Sequence, residues 1–203
     1  MQAELQTALF QAFDTLNLQR MKTFSVPPVT LCGLGALSSC GQEAQSRGLS
    51  HLFVMVDSFL HQAGMTASLE RSLAMKGVAM TVWPCPMGEP CITDVCAAVA
   101  QLRESKCDGV VAFGGGSVLD AAKAVALLVT NPHQTLAQMT EYSSLRPRLP
   151  LIAVPTTAGT GSETTNVTVI IDAATGRKQV LAHATLMPDV AILDAALTEG
   201  VPP

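Results

Sequence analysis

The chain has 203 residues, 48% of them hydrophobic and only 14% charged, against roughly 25% charged in an ordinary soluble domain. So low a charge fraction suits a sheet buried on both faces, or a piece whose surface is partly covered by a missing partner. The formal charge of −4 leaves no basic footprint for nucleic acid, and no apolar run reaches the roughly 18 residues of a membrane span.

Glu4 and Asp14 interrupt the first segment and no basic stretch precedes it, so no secretion signal is expected and a cytoplasmic location is. Within residues 2–18, Leu5, Ala8, Leu9, Ala12, Phe13 and Leu16 share one helical face. That stripe either docks on its own domain or serves as an interaction module. Residues 1–22 read as an extension ahead of a single α/β domain over 23–203.

Strand and helix patterns then alternate. VTLCG (29–33) is a short strand, and HLFVMVD (51–57) is a stronger one whose continuous apolar run fits burial on both faces. A helix is expected over 61–76, a strand over 78–83 and a helix over 92–104. DGVVAFGGG supplies the next strand, and SVLDAAKAVALLVT the next helix. LPLIAV (149–154) runs into the Thr/Gly-rich PTTAGTGSETTN (155–166). Segments 167–172 and 178–183 flank a hairpin turn near Gly176, and VAILD (190–194) closes the series. The alternation predicts a mostly parallel sheet with right-handed crossovers, Rossmann-like, with helices on both faces plus a β-hairpin.

Three glycines, Gly114, Gly115 and Gly116, end one strand and open a helix. The first amides of a helix lack intrahelical partners and carry partial positive charge, and glycine admits close approach of an anion. This geometry suits a phosphate, or else a tight strand-to-helix turn. Ser117 and Asp120 spell S-x-x-D, so Ser117 is expected to start the helix. Lys123 lies a turn too deep for a P-loop lysine. Asp57, ending the second strand, could accept from both hydroxyls of an adenosine ribose and repel a 2′-phosphate, or simply cap a helix. Thr156, Thr157, Thr160 and Ser162 could bond phosphate, ribose or carboxamide at a strand's carboxyl end, or form a polar loop.

Six cysteines without a C-x-x-C pair are expected to be buried or half-buried thiols. His51, His61, His133 and His183 are scattered, no two at i, i+4, and are expected to be structural.

Together, GGGSVLDAAKAVA, PTTAGTGSETT, GRK and LMPDVAILD resemble the N-terminal nucleotide domain of the iron-dependent (group III) alcohol dehydrogenases. The resemblance covers about residues 25–203 and is strongest to family members serving ethanolamine breakdown in enteric bacteria. It implies NAD(H) as cofactor, with Asp57 at the adenosine ribose and Gly114, Gly115, Gly116 and Ser117 at the pyrophosphate, Asp120 and Lys123 following in the helix. Thr156 and Thr157 are implied beside the adenine side, Thr160 and Ser162 in the same loop, and Lys178 reaching the cofactor from the hairpin. No residue of this chain is implied to be catalytic or to bind metal. The resemblance places the catalytic Fe2+ (or Zn2+) on one aspartate and three histidines of an all-helical second domain, beginning just after the VPP at which the chain stops. It further implies a homo-oligomeric enzyme reducing acetaldehyde to ethanol with NADH. The chain alone would be inactive, and residues 2–18 could recruit the enzyme into a bacterial microcompartment. The related dehydroquinate synthases, which are lyases, share the fold, but the TTAGTGSE spelling favours the alcohol dehydrogenase branch.

Overall fold

The computed structural model describes residues 6–7, 24–86, 88–139 and 143–199. Apart from Gln6 and Thr7, the expected N-terminal helix lies outside them.

Six strands form one parallel sheet: β1 (Val29–Cys32), β2 (His51–Asp57), β3 (Ala79–Cys85), β4 (Gly109–Gly114), β5 (Leu151–Pro155) and β8 (Val190–Leu193). A separate antiparallel hairpin joins β6 (Val167–Asp172) to β7 (Arg177–Ala182), turning at Gly176 with φ 67°. The helices are α1 (Cys40–Ser46), α2 (Ser58–Gln62), α3 (Ala67–Ala74), α4 (Ile92–Glu104) and α5 (Gly116–Leu128).

The sheet order is β1-β8-β5-β4-β2-β3. From β2 the chain steps outward to the edge strand β3, then returns past β2 to β4. Strand order therefore reverses between β2 and β4, and the crevice at their carboxyl ends is where an open α/β sheet takes a ligand. The two faces hold separate cores. One packs Val95, Ala98 and Leu102 of α4 and Leu119, Ala122 and Val125 of α5 against Phe53, Met55 and Ala112. The other packs Ala44 of α1 and Leu69 and Leu73 of α3 against Val54, Val56 and Val111. β4 and β5 are buried along their whole length, the physical reason for their unbroken apolar spelling.

Two sequence expectations change here. The single helix expected over 61–76 is two, α2 and α3, because Gly64 turns the chain with φ 72°. β3 runs two residues beyond the expected 83, through Pro84 to Cys85. Proline is tolerated because β3 pairs on one side only. The helix expected at 92–104 and the strands at 51–57 and 167–172 appear with those bounds.

α1 and α3 meet at an unusually close approach. A Cβ on Gly41 would stand 2.1 Å from the Ser72 carbonyl oxygen. The Gly41 amide donates to Ser72 Oγ at 2.9 Å, and that hydroxyl donates on to the Ser38 carbonyl at 2.7 Å.

Candidate functional site

The crevice between the ends of β2 and β4 is lined by Met55, Asp57, Trp83, Asp94, Ser117 and Val118, among others. Val56 and Phe113 are register partners, so Asp57 and Gly114 leave the sheet side by side. Asp57 Oδ1 caps α2, accepting from the Phe59 amide at 2.8 Å and the Leu60 amide at 3.4 Å. Oδ2 accepts nothing among the described residues and remains available to a ligand.

Across the crevice, α5 starts at Gly116 with Gly115 as its N-cap, one residue before the expected Ser117. The S-x-x-D capping box does not form, since Asp120 is turned elsewhere. Among the described residues the amides of Gly116 and Ser117 meet no acceptor, as expected of a first turn. They lie at the positive end of a 13-residue helix.

The three glycines answer to different neighbours. A Cβ on Gly114 would stand 2.9 Å from Val118 Cγ2, and one on Gly116 would stand 2.8 Å from Thr160 Cγ2. Packing alone therefore requires glycine at both. Gly115 differs: its φ of −76° suits any residue. Its added Cβ would meet nothing closer than Thr157 Oγ1, at an ordinary 3.4 Å. Nothing among the described residues demands glycine there.

The Thr/Gly-rich loop follows β5 and flanks the glycine turn on the side away from β2, where Thr157, Ala158 and Gly159 line a neighbouring pocket with Cys32 and Asp194. Thr156 is buried, and its amide donates to the Gly114 carbonyl at 3.0 Å, continuing the sheet register. Thr157 faces Gly115, and Thr160 packs on Gly116. Ser162 does not face the crevice. Its hydroxyl donates to Asp120 Oδ1 at 2.5 Å and accepts from Lys123 Nζ at 2.9 Å. Asp120 Oδ2 accepts from the Val169 amide at 2.9 Å, and the Asp120 carbonyl accepts from Thr168 Oγ1 at 2.7 Å. Ser162 and Asp120, expected at the cofactor, bond to each other here, because the buried Ser162 hydroxyl and Lys123 ammonium need partners that solvent cannot supply, and the half-buried Asp120 carboxylate provides one.

Lys178 stands half-exposed on β7 and pairs with Glu89 at 2.8 Å, beside the Gly88–Pro90 rim of the crevice. Cys85, deep in the same crevice, is pushed up to about 12 by burial and then by Asp57 and Asp94, so it stays a neutral thiol. The thiols divide: Cys40, Cys85 and Cys107 are buried and Cys91 half-buried, but Cys32 and Cys96 are exposed, contrary to expectation. Of the histidines, His51 bonds Thr81 Oγ1 at 2.9 Å, and His183 Nδ1 accepts from the Thr185 amide at 3.1 Å. Among the described residues no group of three or more His, Cys, Asp or Glu side chains could hold a metal ion.

A family profile described as "Iron-containing alcohol dehydrogenase" matches residues 27–195. This chain belongs to that family. It is 91% identical over its full length to "Probable alcohol dehydrogenase EutG" of Salmonella typhimurium and 85% identical to the protein of that name in Escherichia coli. The chain spans about half the length of these curated relatives, 51% of each. Among solved structures, the sulfoacetaldehyde reductase of Bifidobacterium kashiwanohense in complex with NAD+ superposes with a TM-score of 0.82 at 31% identity. That match covers 91% of this chain and 49% of the other.

The glycine turn thus sits between Asp57, across the switch point, and the threonine loop that packs on its other side. The residue that sequence reasoning passed over is Lys123. A lysine amid Ala-Ala-Lys-Ala-Val-Ala is a signal in itself, since a buried charge must be paired.

Proposed function

We propose that this chain is the nucleotide-binding half of an NAD(H)-dependent, metal-dependent alcohol dehydrogenase, with residues 23–203 as the cofactor domain. The observation that carries this reading is that Ser117, at the unpartnered start of α5 behind the sterically unconstrained Gly115, and Asp57, with Oδ2 free among the described residues, line one crevice.

The cofactor's pyrophosphate fits the start of α5, where two amides and the helix dipole favour an anion. Asp57 accepts from the ribose hydroxyls through Oδ2 while Oδ1 keeps its cap, and its charge disfavours a 2′-phosphate there. Thr157 places a hydroxyl beside the glycine turn, next to Gly115. Lys178, paired with Glu89 at the rim, keeps two further protons for a ligand there. Bound NADH supplies hydride to a carbonyl carbon. In the whole protein, an iron or zinc ion held outside the described residues would polarise the aldehyde oxygen. On this reading the 203-residue chain alone binds cofactor without turning over aldehyde.

The names of the two EutG relatives support an alcohol dehydrogenase, and the resemblance to ethanolamine-pathway members supports acetaldehyde as substrate and ethanol as product, with NAD+ regenerated. The same resemblance supports a cytoplasmic homo-oligomer and a microcompartment role for residues 2–18. No helix among the described residues is long and apolar enough to cross a membrane.

Trp83, the chain's one tryptophan, lines the crevice and provides the assay. NADH should quench its emission saturably, and NADPH should bind about ten- to a hundredfold more weakly, from a like-charge cost on the order of 1–3 kcal/mol at Asp57. Unaltered Trp83 emission with NADH, alongside a folded circular dichroism spectrum, would remove the dinucleotide from this crevice.

A further inference from the structure

The mechanism above makes no use of the most deeply buried charge in the molecule. Lys123 is 0% exposed, inside the apolar face of α5. Its Nζ donates to Ser162 Oγ at 2.9 Å, Thr165 Oγ1 at 3.1 Å and the Val167 carbonyl at 2.7 Å. An ammonium has three protons, and all three are engaged. No donor remains for a ligand. The three acceptors all belong to the loop following β5 or to the first residue of β6, while Lys123 belongs to the helix that the glycine turn begins. Asp120, one helical turn earlier, adds bonds to Ser162 Oγ, the Val169 amide and Thr168 Oγ1, with its Oδ1 3.8 Å from Lys123 Nζ. The two residues therefore clamp the entire far side of the Thr/Gly loop onto α5. On the near side, that loop presents Thr157 to Gly115 and Thr160 to Gly116.

We infer that Lys123 is a positioning residue: its buried ammonium, with Asp120, latches the 156–166 loop against α5, and dinucleotide binding depends on that latch although Lys123 does not touch the cofactor. This rests on the reading that the crevice holds a dinucleotide. The latch has a built-in pH limit. Burial lowers the Lys123 pKa to about 8, against the opposing pull of Asp120 and Glu163, with Arg148 adding to the lowering. These are the charged groups facing it from α5, the 3-10 turn Ser162–Thr164 and the approach to β5. Above about pH 8 the neutral amine has one proton fewer and no charge, so one of its three bonds is lost and the others weaken.

The test uses the 203-residue chain, with Lys123→Met and Thr165→Val beside the parent. Amide hydrogen exchange over 156–169 reports the latch, and NADH titration through Trp83 from pH 6.5 to 9.5 reports its consequence. Lys123→Met should speed exchange across 156–169 about tenfold or more, leave β2 and β4 protected, and weaken NADH about ten- to a hundredfold. The parent's affinity should decline above about pH 8, and Lys123→Met should lack that decline. Thr165→Val, which removes one acceptor and no charge, should weaken NADH by a few-fold, on the scale of one hydrogen bond.

Parent-like exchange in Lys123→Met overturns the latch. A loosened loop with unchanged NADH affinity overturns its role in binding. Full affinity in Thr165→Val beside a large loss in Lys123→Met points to direct contact and likewise overturns the inference. Should Lys123→Met not fold, Thr165→Val and the parent's pH profile decide, and a flat parent profile with unimpaired Thr165→Val overturns it. A parent that never binds NADH defeats the dinucleotide reading itself, a result the exchange comparison distinguishes from loss of the latch.

Discussion

Gly115→Ala separates a ligand's demand for glycine from the fold's own. At position 114 an added methyl would press on Val118 at 2.9 Å, and at 116 it would press on Thr160 at 2.8 Å, so alanine there disturbs packing and binding together. At position 115 the methyl meets Thr157 at 3.4 Å, with the backbone at φ −76° and ψ −179°, comfortable for alanine. The fold should therefore keep its stability, or gain about 0.4–1 kcal/mol from a less flexible unfolded chain. That gain corresponds to about 1–4 °C in melting temperature for a domain of this size. Cofactor binding should respond differently. The methyl stands in the gap between the glycine turn and Thr157, and displacing the pyrophosphate by its width loses one or two charge-assisted hydrogen bonds at roughly 1.5–3 kcal/mol each. NADH affinity should fall at least about tenfold. Thermal unfolding by circular dichroism and Trp83 quenching by NADH, on the same preparation, read the two quantities separately. Gly115→Ala that melts like the parent and binds NADH equally well would refute the reasoning, and glycine at 115 would then serve neither packing nor a ligand.

The other predictions concern specificity, packing, acid stability and thiol access. Asp57→Gly should narrow the NADH/NADPH preference while costing the fold only a few tenths of a kcal/mol, since glycine is a tolerable N-cap; equal preference before and after, by fluorescence titration, removes Asp57 from the ribose. Gly41→Ala should destabilise by at least about 1–3 kcal/mol in urea unfolding, because backbone rather than a flexible side chain stands 2.1 Å from the new methyl. For Asp194, burial alone would raise the pKa, but the amides of Leu37, Gly35 and Ala196 outweigh it and hold the carboxyl below its ordinary 3.8. Its stabilisation is therefore complete above that value and is lost as pH falls through the lower folded value, so Asp194→Asn should flatten the acid limb of stability against pH. A maleimide should label Cys32 and Cys96 promptly in the native chain and spare Cys40, whose thiol burial pushes up to about 12.

The sheet was legible because β2, β4 and β5 are buried on both faces, and continuous apolar runs such as Leu52–Val56 have no other economical fold. Strand order was not, since a parallel sheet encodes neighbours in crossovers and packing rather than in local spelling; only the order places Asp57 beside Gly114. The split after α2 was hidden because Gly64 sits inside a periodic pattern that continues through Leu69 and Leu73. The capping-box reading of Ser117 and Asp120 followed a valid local rule, but the tertiary contact won. Asp120 finds a hydroxyl and an amide 42 and 49 residues away, at Ser162 and Val169. Lys123 shows the same limit from the other side, as its acceptors lie 39 to 44 residues further along the chain. The motifs announced that glycines and threonines matter. The structure adds that position 115 alone of the three would accept a Cβ without crowding a neighbour, and that Ser162 serves the loop.

The most direct measurement follows the backbone amides of the 203-residue chain, labelled with nitrogen-15, as NAD+ is added. The account predicts that Gly115, Gly116 and Ser117 show the largest shifts, with Phe59 moving as its acceptor Asp57 engages the ribose, while the amides of α1 and α3 stay in place. Saturable shifts that leave Gly115–Ser117 unmoved, or no shifts from a folded chain, would contradict a pyrophosphate held at the start of α5.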